Sequence, residues 1–201
     1  SNGGVLDTTD TASNSSGYIW GAQLEQASYP TSYIPTTSAT VTRAVDALSI
    51  PTGSWYSGAT GTIIGRGQVS SLIQTDFGAT LFNFNDNTAA NYLWGFMRGA
   101  GTGQTRGEIV NSASSIASFL GTNNFVANTA STIGIAYQNS NFAFSAKGAS
   151  LLTTSSGNVP TMNKLNIGSR EIGGSNRYNG NIAMIKYYPL RASNAQLQLL
   201  T

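Results

Sequence analysis

Eight carboxylates are spread through this 201-residue chain: Asp7, Asp10, Glu25, Asp46, Asp76, Asp86, Glu108 and Glu171. Hydrolysis of a glycosidic bond with retention needs two of them about 5–5.5 Å apart. A Glu-x-Asp-x-Glu alternation would place acid and nucleophile on one side of a strand, and the sequence has none. No two of the last six are closer than ten residues. Asp86 with Glu108 is a pair only the fold can assemble, so a polysaccharide-degrading glycosidase ranks as the third reading and no catalytic residue is assigned. The chain also has no His and no Cys. That removes the usual neutral-pH base, the triad and thiol mechanisms, redox chemistry, and the preferred ligands of zinc and transition metals. Oxygen-ligand cations such as calcium remain. Asn83, Asn85, Asp86 and Asn87 carry oxygens at a spacing a loop can wrap round a hard ion. The same residues build ordinary β-turns, and one carboxylate is little charge for calcium. The turn is their expected role, and no cofactor is expected.

Sugar recognition needs a flat aromatic for a pyranose face, with amide, hydroxyl or guanidinium groups for its hydroxyls. Three sets qualify. One is Trp55 and Tyr56 in GSWYSG. A second is Asn91 to Trp94 with Arg98, after the NDNTAAN turn. The third is Arg170, Asn176, Arg177 and Tyr178 in SREIGGSNRYNG. Each has a plainer role beside it. Tyr92, Trp94 and Phe96 alternate, as residues facing a core do. Trp55 is placed to plug an edge, and Arg177 and Tyr178 to form a solvated loop tip. Arg43 and Asp46 read as a structural pair. Gly65-Arg66-Gly67 and the glycines 99–103 read as hairpin turns, since neither opens a helix after a strand.

The elements that must hold these residues are short apolar runs separated by turn clusters. They fall at 45–50, 62–69, 80–84, 92–97, 107–110, 124–127, 131–138, 141–146, 164–168 and 181–190. Ten short strands with a turn about every dozen residues predict an all-β, antiparallel two-sheet sandwich. Ser193 is set to cap one short helix over 194–200. Residues 1–17 are small and polar and are expected to be a flexible remnant. Residues 18–43 read as a last strand of a preceding module and an extended, proline-marked linker, with the sandwich over 44–201.

Composition agrees. Only 9% of residues are charged, against roughly 25% in an average soluble protein. Ser, Thr, Asn and Gly number 25, 23, 19 and 23, so hydroxyls and amides supply the wet surface. The ten Lys and Arg form no run, so no nucleic-acid footprint is visible. No apolar stretch approaches the ~20 residues of a membrane-spanning helix, and no signal peptide or membrane insertion is expected.

Two segments carry a family resemblance. WGAQLEQASYPTSYIPTTSATVTRAVD (20–46) is similar to the junction between jelly-roll modules in bacteriophage tail fibre and tail-associated proteins. There an aromatic-Gly-Ala-Gln-Leu-Glu strand precedes Thr-Ser-Tyr-Ile-Pro-Thr and Val-Thr-Arg-Ala-x-Asp. YNGNIAMIKYYPLRASNAQLQLLT (178–201) resembles the last strand and helix of concanavalin A-like, laminin-G-like jelly rolls. The resemblance implies a C-terminal fibre module in the virion tail, often a homotrimer, binding host-surface polysaccharide or lipopolysaccharide without catalysis. A ligand-free cap that trimerises the fibre tip is the alternative.

Overall fold

Leu81, Phe82, Phe84, Leu93, Met97, Ile109, Ile133, Ile135, Phe142 and Phe144 are buried together in one apolar layer. They come from strands of alternating pattern that close on each other as two sheets. The computed structural model describes residues 20–24, 33–41, 48–69, 79–97, 103–149, 151–170 and 176–201. The chain divides into two units, Ser1–Val45 and Asp46–Thr201. In the first, Trp20 packs on Tyr33 at 5.0 Å between ring centres, and the Ile34 amide donates to Gln23 Oε1 at 3.0 Å. Residues 1–19, with the expected flexible remnant, lie outside the described residues, as do Arg43 and Asp46.

Among the described residues, the second unit holds eleven strands and one helix. The strands are β1 (Leu48–Pro51), β2 (Thr60–Val69), β3 (Ala79–Asn85), β4 (Tyr92–Met97), β5 (Gln104–Asn111), β6 (Ser114–Asn124), β7 (Ser131–Gln138), β8 (Phe142–Ala146), β9 (Leu152–Thr154), β10 (Lys164–Ile167) and β11 (Gly180–Tyr188). The helix is α1 (Asn194–Leu200). One sheet runs β1-β10-β3-β4-β5-β6 and the other β11-β2-β7-β8-β9, every pairing antiparallel. The expected all-β sandwich with a C-terminal helix is therefore the observed architecture.

Two strands differ from the sequence reading. β6 is eleven residues of SSIASFLGTNN, where only NFVA at 124–127 had strand character. Phe125 instead enters the core just beyond β6, its amide bonded to the Gly103 carbonyl at 2.6 Å. β9 is three residues at the edge of its sheet.

The two outer faces are finished differently. On the five-stranded sheet, Leu197 of α1 packs with Ile64, Ala136 and Ala143. Gly134 permits this approach: a Cβ there would sit 2.9 Å from Leu197 and 2.8 Å from Thr201. Ser193 caps the helix through a capping box with Gln196. Among the described residues, no helix lies on the six-stranded sheet.

Candidate functional site

The outer face of the six-stranded sheet follows from strand register. Residues paired directly across an antiparallel ladder point to the same side. The pairs Ser49–Asn166, Asn166–Asn83, Asn83–Trp94, Trp94–Glu108 and Glu108–Ser118 draw one row across all six strands. A neighbouring row joins Lys164, Asn85, Tyr92 and Val110. A third joins Thr80, Phe96, Arg106 and Leu120. Leu81, Leu93, Ile109 and Phe119 on the same strands turn inward to the core.

Tyr92, Trp94 and Phe96 thus do not face the core as their alternation suggested. With Val110 they form a separate buried cluster on the opposite side of the sheet. Trp94 stacks on Phe96 with ring centres 3.9 Å apart, and its indole N–H donates to Thr80 Oγ1 at 3.0 Å. The Arg170 guanidinium lies 4.2 Å from the Trp94 ring centre and 5.0 Å from that of Tyr92. Arg106 lies 5.7 Å from the Phe96 ring and donates to Ser118 Oγ at 3.0 Å. Burial first, and then the charge of neighbouring Glu108, pushes the Tyr92 phenol above its ordinary value, while Arg170 and Arg106 pull it back. The arrangement is an aromatic floor overlaid by two planar guanidinium groups with one carboxylate in the adjacent register.

The remaining predicted residues are distributed as follows. Tyr178 is no loop tip: it packs against the core, its amide bonds the Gly168 carbonyl at 2.8 Å, and burial pushes its phenol up. Arg177 is exposed beside it. The Asn176 carbonyl accepts from the Thr80 amide at 3.3 Å. Arg98 lies outside the described residues.

Trp55 and Tyr56 plug the other end of the sandwich. Their rings meet Phe84 and Tyr187 at centre distances between 5.1 and 6.1 Å. Trp55 Nε1 donates to the Pro51 carbonyl at 3.1 Å. Tyr137 donates to the Ser57 carbonyl at 2.9 Å and lies 3.0 Å from the Tyr187 hydroxyl, which accepts from the Ser57 amide at 2.8 Å. Burial pushes Tyr56 up to about 12.

The asparagine run does not converge on a point. Asn83 and Asn85 lie on the sheet face, while Asn85 Oδ1 accepts from the Asn87 amide at 3.0 Å to form an Asx-turn. Asn87 sits at φ 72°. The Asp86 carboxylate accepts from the Thr88 amide at 2.9 Å and from Asn91 Nδ2 at 2.7 Å. Asn91 Oδ1 accepts from the Ser112 amide at 3.0 Å, so both ends of the Asn91 side chain tie the β3–β4 turn to the β5–β6 turn. Among the described residues, no group of three or more carboxylates is placed to share a metal. Asp86 and Glu108 are not assembled as a catalytic pair. They stand two strands apart and three residues out of register, about 14 Å between Cα atoms at the usual sheet spacings.

No family model and no curated protein sequence matches the chain. Solved structures do. Domain 4 of AbnA, an extracellular GH43 arabinanase of Geobacillus stearothermophilus, in complex with arabinotriose, is 14% identical with a TM-score of 0.59, covering 77% of this chain and 71% of that one. The CBM40 of Ruminococcus gnavus IT-sialidase, bound to α2,3-sialyllactose, is 14% identical with a TM-score of 0.58, covering 78% and 97%. A heptameric SAP-like pentraxin of Limulus polyphemus is 12% identical with a TM-score of 0.51, covering 69% and 68%. The sandwich is a jelly roll. The first two of these jelly rolls were solved with oligosaccharides bound.

Proposed function

We propose that the jelly roll is a non-catalytic glycan-binding module that uses the outer face of its six-stranded sheet. The observation that carries this reading is the Arg170 guanidinium placed over Trp94 and near Tyr92, beside Glu108 and Arg106. Guanidinium donors and a carboxylate acceptor set over aromatic rings are the groups that hold sugar hydroxyls while an apolar ring face is covered. Such a face needs no His, no Cys and little charge. The neighbouring jelly rolls solved with oligosaccharides bound support glycan binding by this fold.

The junction motif over 20–46 extends the reading to a receptor-binding module of a bacteriophage tail fibre, acting outside the host cell on its surface glycans. A homotrimer would multiply weak single-site affinity through avidity. The test is binding to an array of bacterial surface oligosaccharides by the intact chain. Specific binding that falls at least tenfold in Glu108→Gln and Arg106→Ala, and persists in Trp55→Phe, supports the face. Binding that survives both of the first two changes refutes it.

A further inference from the structure

In the same row as Trp94, two strands away, lies a polar group that the folded chain leaves unsatisfied. Asn166 is 1% exposed, and neither its Nδ2 nor its Oδ1 has a hydrogen-bond partner. Its cross-strand neighbour Asn83 is fully buried, and Asn83 Oδ1 is likewise without a partner. Three amide positions in adjacent register on one sheet face are therefore desolvated and unpaired. Each such group ordinarily finds a partner, because leaving one unmade costs far more than a typical hydrogen bond returns. They are not in the core: Leu165 and Phe84 on the same strands point that way, and Asn166 and Asn83 share the row of Trp94 and Glu108.

The chain after β10 provides the cover. Asn83 Nδ2 donates to the Arg170 carbonyl at 3.0 Å, so residues 168–170 double back over the face and carry the guanidinium onto Trp94. Ser169 is buried in the same strap, and Gly168 turns it with φ 74°. Ser49, the other neighbour of Asn166 in the row, is exposed. The unpaired amide thus lies one strand in from an open rim, beside a cover bonded at Arg170 by Asn83 and at Gly168 by Leu81 and Tyr178, with the Arg170 guanidinium over the rings of Trp94 and Tyr92.

We propose that Asn166 and Asn83 form an anchoring subsite for adjacent hydroxyls of a sugar, occluded by Arg170 in the free protein and filled when residues 168–170 yield. An amide is suited to a vicinal diol: Nδ2 donates to one hydroxyl oxygen while Oδ1 accepts from the next. Asn83 Oδ1 takes a further hydroxyl proton. The sugar's apolar face then replaces the guanidinium on Trp94 and Tyr92. This subsite rests on the glycan-binding reading and places its deepest contacts.

A ligand subsite and a structural asparagine respond oppositely to Asn166→Val, which removes the unpaired amide and suits a strand. The wild-type chain and this variant are compared for melting temperature without ligand, and for binding to the array of bacterial surface oligosaccharides. The subsite predicts a Tm raised by about 2–4 °C for a gain of this kind in a chain of this size, together with at least a tenfold loss of binding to the oligosaccharides the wild type retains. A lowered Tm, or failure to fold, overturns the subsite by showing that Asn166 is satisfied in the native state. A raised Tm with binding unchanged overturns it by showing that the amide meets no ligand, and leaves the glycan-binding reading standing. No binding of the wild type to any array member overturns the glycan-binding reading, and the subsite with it.

Discussion

Arg170 lies 4.2 Å above the ring of Trp94, on the side of the sheet opposite the core. Phe96 stacks on Trp94 at 3.9 Å, so the indole is held between an arene and a cation. A guanidinium over Trp is worth about 0.5–2 kcal/mol, more as it is desolvated. Arg170→Met keeps the stem and removes the cation. It is predicted to lower stability to chemical denaturation within that range. In a Trp20→Phe, Trp55→Phe background, where Trp94 is the sole indole, the emission should shift as well. Arg170→Lys should not restore the emission, because an ammonium has no plane to stack. An unchanged spectrum in Arg170→Met would contradict the geometry.

The turn residues predict an acid limb. Burial alone would raise the Asp86 carboxyl, but hydrogen bonds from Thr88 and Asn91 outweigh it and hold it below the usual carboxylate value. A carboxylate depressed in the folded state stabilises above its unfolded pKa, near 3.9, and that stabilisation is lost as pH falls through the folded value. Asp86→Asn should therefore narrow the stability difference between pH 6 and pH 3, measured by thermal melts. Asn91→Ala should cost about 0.5–1.5 kcal/mol at neutral pH, because it removes the bonds to the Ser112 amide and to one Asp86 oxygen together. Neither change should alter glycan binding.

An alkaline limb follows from the tyrosine plug. Burial raises Tyr56 to about 12, and raises Tyr137 and Tyr178 in the same direction. A phenol raised in the folded state stabilises fully below its unfolded pKa of about 10, and that stabilisation is lost as pH rises through the folded value. Absorbance near 295 nm should show these three phenols silent around pH 10 and appearing only with cooperative unfolding at higher pH. Tyr137→Phe should cost about 1–2 kcal/mol through the lost bonds to Ser57 and Tyr187. Gly61→Ala should destabilise through the same plug, since its Cβ would fall 2.5 Å from the Tyr137 hydroxyl.

Much of the fold was legible because period-2 alternation and turn clusters are local signals. β6 was not, because SSIASFLGTNN is small and polar, and its pairing with β5 is interrupted by register shifts on either side of residues 117–120. The candidate site was half legible. Alternation told which of Tyr92, Trp94 and Phe96 share a face, but not which face meets the core. Every residue of β4 is buried, so burial preference did not separate the two sides. Asparagines misled in the other direction. Asn91 has the chemistry of a sugar contact, yet its amide is consumed in tying turns together. Asn166 carried no motif at all. Only strand register, with the absence of any partner for its amide, distinguishes it.

The outer face of the six-stranded sheet is tested most directly by amide and indole NMR shifts of the intact chain, titrated with a bacterial surface oligosaccharide that it binds on the array. Two of the three indole N–H signals report different sites on the sandwich: Trp94 bonded to Thr80 on the outer face, and Trp55 bonded to the Pro51 carbonyl in the aromatic plug. Glycan binding at this face produces saturable shifts at the Trp94 indole and at Arg106, Glu108 and Asn166, with the Trp55 indole still. Shifts centred on Trp55 and residues 53–58, with Trp94 unmoved, would contradict it.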